Sequence, residues 1–132
     1  ADPTADVEGI DAANKLSILM AIGFDKYIEP ESIPRLGITK VTADDIAKAS
    51  SEGKKIKLLG TAKIDDGGKL EYFVKPVAIE PSHPLYNVDN EYNAILVRGD
   101  AVEDVMMYGK GAGPLPTGSA VLGDILEIAE KL

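Results

Sequence analysis

Cysteine is absent from this chain of 132 residues, which excludes disulfides and thiolate metal sites. Histidine occurs once, at His83, so no imidazole-rich zinc site can form unless a partner adds ligands, and no metal site is expected. Basic residues are in the minority: 14 Lys and Arg stand against 22 Asp and Glu, a formal net charge of −8. With no basic cluster either, nucleic acid is not an expected partner. No apolar run approaches the roughly 18 residues of a membrane span, and no signal-peptide pattern opens the chain. These absences read as a soluble, cytoplasmic protein with no membrane partner. An initiator methionine is also lacking. The chain begins "ADPTADVEGID", polar and motif-like, which reads as the interior of a longer protein.

The length itself fits one compact domain able to bury a core. From Val7 to Met20 the apolar residues recur at helical spacing, and Asp6 is placed to cap the first turn. Within this helix "EGIDAANKLSI", from Glu8, sets Asp11 and Lys15 four residues apart, where side chains meet. Continued by steps of three and four, their stripe reaches Ile18 and Ile22, so the pair is expected to point inward. Only Asn14 and Ser17 are left as a narrow polar strip, and a helix apolar on most sides is a buried helix.

Prolines at 30 and 34 mark a connection, after which "TADDIAKASSEG" makes a second helix. Thr42 can cap it, Asp44 and Asp45 suit the positive end of its dipole, and Gly53 suits the left-handed residue that ends it. The period then changes to two. In "KKIKLLGTAKI" the apolar Ile56, Leu58, Ala62 and Ile64 alternate with Lys55, Lys57, Thr61 and Lys63, as in a half-buried strand. "DDGG" at Asp65 to Gly68 turns the chain, and "KLEYFVKPVAI" returns as the second arm of a hairpin that Pro76 should interrupt or confine to an edge. Two further strands are expected from Tyr92 and from Glu103, joined by a turn at Gly99 and Asp100. A final helix from about Gly118 to Leu132 carries an apolar stripe that begins at Val121. Helix, helix, hairpin, two strands, helix has no regular βαβ alternation. It predicts an α+β fold, a mainly antiparallel sheet, mixed in part, with helices packed on one face.

Few residues could carry chemistry. Asp11 and Lys15 admit two readings. A surface ion pair at this spacing stabilises a helix by about 0.3 to 0.5 kcal/mol. That reading is the commoner one, but a pair turned inward would cost several kcal/mol unless paired or used, which leaves a working acid and amine as the second reading. "GKGAGPLPTGSAV", from Gly109, is not the dinucleotide fingerprint, since Pro114 stands where its last glycine belongs. It is either a strand-to-helix turn or a close backbone approach to a ligand. His83, in "EPSHPLYN", reads as a loop residue.

Taken together these residues resemble homoserine dehydrogenase. "ADPTADVEGIDAANK" looks like that family's active-site segment, and "HPL", "YNAILV" and "GKGAGPLPTGSAVLGDI" look like its closing stretch, in order from Ala1 to Leu132. The family inserts a catalytic and dimer-forming region into an N-terminal dinucleotide-binding domain, and the resemblance covers only the insert and the return of the chain. It implies that Lys15 is the catalytic lysine exchanging a proton with the substrate oxygen, and that Asp11 and Asp6 bind the amino acid substrate. Gly113, with Gly111 in the same turn, would lie against the cofactor. Residues 114–132 would be a helix returning to the missing nucleotide-binding domain. The implied reaction interconverts homoserine and aspartate 4-semialdehyde with NADP or NAD, in threonine and methionine biosynthesis, in a homodimer. Taken alone, the chain would instead be an inactive dimerisation and substrate-binding module.

Overall fold

The first helix, α1, runs Ile10–Phe24 in the computed structural model, which describes residues 8–89, 92–99 and 103–110. It starts three residues later than the periodicity predicts and ends four later. Gly9 is its N-cap, with φ 77° and ψ 15°, and no side chain caps the turn. Asp6, the expected cap, lies outside the described residues. The second helix, α2, spans Ala43–Ser51 and is closed as the sequence predicts. The Asp45 amide donates to Thr42 Oγ1 at 3.1 Å, and the Thr42 amide donates back to Asp45 Oδ2 at 2.9 Å, a reciprocal box that satisfies two end donors. Gly53 follows at φ 74°.

The strands pair as two antiparallel hairpins. β1 (Lys55–Ile64) pairs with β2 (Leu70–Ile79) from Lys55↔Ile79 to Ile64↔Leu70. The turn between them is held by Asp65, whose Oδ1 accepts from the amides of Gly67 and Lys69, both at 2.9 Å. Gly68 takes the positive φ of 81° that a side chain would resist. Pro76 does not interrupt β2; it pairs in register with Leu58. β3 (Tyr92–Val97) pairs with β4 (Val105–Lys110), and Arg98 donates to Asp104 at 2.9 Å across their connection. One pairing has no precedent in the sequence pattern. The connection after the first helix lies parallel to β2: the Val74 amide donates to the Pro34 carbonyl, and the Leu36 amide donates to the Val74 carbonyl, both at 2.8 Å. That strip makes the sheet mixed.

Where length suggests one body, the chain gathers into two units, Ala1–Glu80 and Pro81–Leu132. The first holds α1, α2 and the β1–β2 hairpin around a core of Ala13, Leu16, Met20, Ile33 and Val74, with Leu58, Ala62, Leu70 and Tyr72 partly buried against it. All four of those strand residues occupy even positions. The cleft that α2 shares with the hairpin reaches Ile56, Pro76 and Ala78, also even. Successive strand residues point to opposite sides, so both helices pack on one face, as expected for this α+β arrangement. The odd face carries Leu59, Phe73 and Val77, with Lys75 Nζ 4.3 Å above the Phe73 ring. In the second unit the Tyr92 and Tyr108 rings stack at 4.9 Å, and His83 Nδ1 accepts from the Leu85 amide at 3.1 Å, a loop role as predicted. The expected last helix lies outside the described residues. No helix among the described residues is long and apolar enough to cross a membrane.

Candidate active site

Helix α1 seats on the hairpin beside two glycines. At Gly60 the fit is ordinary: Leu16 lies over the strand there, and a Cβ built on Gly60 would stand in normal contact, 3.6 Å from Leu16 and 3.7 Å from Val74 Cγ2. The same approach buries Gly9, Ala13, Leu16, Ser17 and Met20, which recur every three or four residues along one side. Ser17 therefore belongs to the buried side and not to a polar strip. It is 1% exposed, and its hydroxyl donates to the Ile28 carbonyl, so the buried oxygen is satisfied.

This phase turns Asp11 and Lys15 outward, against the expectation of an inward stripe. Lys15 Nζ lies 2.8 Å from Asp11 Oδ2, with the two side chains 54% and 47% exposed. Ile18, on the same stripe, is 45% exposed. The pair meets as its spacing requires, but it meets on an open flank. The periodicity could not select the side because α1 is apolar almost all round.

Chemically the pair offers both polarities at one place. Lys15 has three N–H donors, one engaged by Asp11, so others can reach an oxygen arriving from outside. Asp11 engages Lys15 through Oδ2, and its second oxygen can accept from an ammonium group. Together they suit a small zwitterion carrying an amine and an oxygen. Asp6, Gly111 and Gly113, the other predicted site residues, lie outside the described residues. No group of three or more His, Asp or Glu side chains among the described residues could hold a metal ion. A cleft of about 410 Å³ beside α2, walled by Val41, Lys48, Ala49, Ile56, Pro76 and Ala78, includes neither Asp11 nor Lys15. It has no claim on the chemistry of the pair.

Gly9 is the residue whose importance the sequence pattern hides. It stands two positions before Asp11, inside what periodicity reads as continuous helix. A glycine there was the available signal, since glycine inside a helical pattern marks a boundary or a close approach.

The arrangement has counterparts among known proteins. The chain belongs to the homoserine dehydrogenase family, whose model matches residues 1–126. It is 42% identical over 132 residues to the homoserine dehydrogenase of Bacillus subtilis, covering 100% of this chain and 30% of that protein. A crystal structure of S. aureus homoserine dehydrogenase superposes with a TM-score of 0.82 at 50% identity, covering 98% of this chain and 32% of that one. A hyperthermophilic archaeal homoserine dehydrogenase mutant, in complex with NADPH, gives 0.65 at 30% identity, with 99% and 36% covered. The chain thus spans about a third of the length of these relatives.

Proposed function

We propose that this chain is the catalytic and dimer-forming region of a homoserine dehydrogenase that interconverts L-homoserine and L-aspartate 4-semialdehyde. The reading is carried by the Asp11–Lys15 pair, closed at 2.8 Å on an open flank of α1 within the segment that resembles the family's active site. That the chain spans only about a third of its relatives' length supports a further part of the protein completing the site. That part would be the nucleotide-binding domain, to which residues 114–132 would return.

The described residues do not themselves fit a dinucleotide. Their strands pair as antiparallel hairpins, whereas a pyrophosphate is held by a glycine-rich turn between a parallel strand and a helix. Gly111 and Gly113 would lie against NADP or NAD held by that further domain, and the cofactor would supply or take up the hydride. What this region contributes is the proton and the orientation. Reduction of the aldehyde leaves an alkoxide, and the Lys15 ammonium donates a proton to that oxygen; in the opposite direction the neutral amine accepts it. Asp11 holds the Lys15 ammonium in place and, with Asp6, takes the substrate's amino group by charge.

Self-association fits the odd face of the hairpin, where Leu59, Phe73 and Val77 are partly exposed and neither helix covers them. The whole reading is tested by comparing the full-length protein with the 132-residue chain. The full-length protein should oxidise homoserine with NADP or NAD, and the 132-residue chain should neither do so nor bind either nucleotide in a calorimetric titration. No turnover of homoserine by the full-length protein would sink the enzymatic assignment. A micromolar isotherm for the short chain would sink the division of labour.

A further inference from the structure

We infer that Gly9 is a positioning residue for the Asp11–Lys15 pair, setting how far the reactive end of α1 stands above the sheet. The inference rests on the pair being the reacting site. Gly9 is buried, its φ is 77°, and its carbonyl accepts the first intrahelical bond, from the Ala13 amide at 3.0 Å. A Cβ there would stand 2.9 Å from Val74 Cγ1 and 3.2 Å from Arg35 Cγ. The Arg35 side chain is exposed and flexible, and it can yield. Val74 cannot, for three reasons. It is 1% exposed, both its backbone groups are bonded to the strip at Pro34 and Leu36, and its other edge is paired with Gly60 of β1.

Any side chain at position 9 must therefore be accommodated by the helix. Ordinary carbon contact begins near 3.4 Å, about half an ångström beyond what Val74 leaves. An L-residue would also be driven out of the left-handed conformation that directs the chain into α1. Asp11 follows two residues on and Lys15 one turn later, so both ride on whatever displacement begins at Gly9. Their mutual contact survives, because both belong to the same helix, but their place relative to a substrate bound against other elements does not. Reacting groups are held within about 0.5 Å of productive geometry, and a displacement of about 1 Å costs roughly a hundredfold in rate. A displacement of about half that size should cost about tenfold.

The test uses the full-length protein with Gly9→Ala, Val74→Ala and the two combined, each normalised to folded molecules. Gly9→Ala should lower kcat/KM for homoserine about tenfold while leaving NADP affinity unchanged. Combining it with Val74→Ala removes the clash with Val74 but not the backbone strain at positive φ, so it should recover part of the lost activity relative to the product of the single losses, a non-additive rescue that a general loss of stability would not produce. A folded Gly9→Ala protein with normal kcat and KM overturns the inference. So does a double variant whose loss is the product of the single losses, and so does failure of both Gly9 variants to fold, which would make Gly9 a folding requirement only. Lys15→Ala in the same assay separates the two levels. Normal turnover there removes the site reading itself, whereas lost turnover there with an unaffected Gly9→Ala removes only the positioning role.

Discussion

Lys15→Ala in the full-length protein should separate activity from stability more cleanly than any other single change. The lysine lies 2.8 Å from Asp11 Oδ2, yet its side chain is 54% exposed and that of Asp11 47%. An i, i+4 pair that open to water is worth roughly 0.3 to 0.5 kcal/mol, less after screening by salt. Alanine is also the better helix former by a few tenths of a kcal/mol, so the two effects nearly cancel. The melting temperature should move by no more than about 2 °C, since about 1 kcal/mol corresponds to a few degrees in a protein of this size. Activity should behave quite differently. Loss of a general acid or base lowers kcat by about 100-fold or more, equivalent to about 2.7 kcal/mol of transition-state stabilisation. Following NADPH absorbance under saturating homoserine gives kcat, and a thermal melt of the same sample gives the stability. A near-normal kcat in the well-folded variant would take Lys15 out of the mechanism. A fall of several kcal/mol in stability would contradict the open flank on which α1 presents the pair.

Asp11→Asn should raise KM for homoserine more than it weakens NADP binding, because an amide does not hold an ammonium by charge; the opposite pattern in steady-state and binding data would reverse its assigned role. Met20→Ala should destabilise the fold by about 2 to 5 kcal/mol in a urea titration, since Met20 is 0% exposed and truncation leaves a cavity that the hairpin cannot close. Asp45 is held below the ordinary carboxylate range, first by the Thr42 amide and then by the Thr42 hydroxyl. A lowered folded value means that the cap stabilises above the unfolded carboxylate range and is lost as pH falls through the folded one. Stability of the wild type should therefore decline on acidification more steeply than that of Asp45→Ala, and parallel acid limbs would refute the cap's role. The chain should be a dimer by light scattering, and Phe73→Glu, on the odd face of the hairpin, should shift it to monomer; a monomeric wild type at micromolar concentration would count against that face.

Much of the fold was legible because the chemistry that makes it is local. Thr42 and Asp45 close a helix end from three residues apart, and Asp65 with the glycines after it bends the chain whatever the surroundings. Alternation in β1 and β2 predicted a hairpin, and the register from Lys55↔Ile79 to Ile64↔Leu70 bears it out. The meeting of Asp11 and Lys15 was equally local, since one turn of helix brings them together in any context.

What the tertiary structure alone decided was which way α1 faces. Its residues are apolar on most sides, so several rotations about its axis would each bury a reasonable stripe, and the pattern favoured the one through Lys15, Ile18 and Ile22. The choice is made at the contact surface. Gly9 stands against Val74 with no room for a side chain, and Ala13, Leu16 and Met20 gather with Val74 in one buried cluster; close packing of that flank outweighs a difference of one or two apolar side chains elsewhere. Ser17 is carried inward because the Ile28 carbonyl is there to accept its hydroxyl, and the strip at Pro34 to Leu36 pairs with Val74 because that edge of β2 is free to accept it. Such contacts join residues eleven to more than sixty positions apart, and no local pattern encodes them. With that flank bound, Asp11 and Lys15 have only the outside left to face.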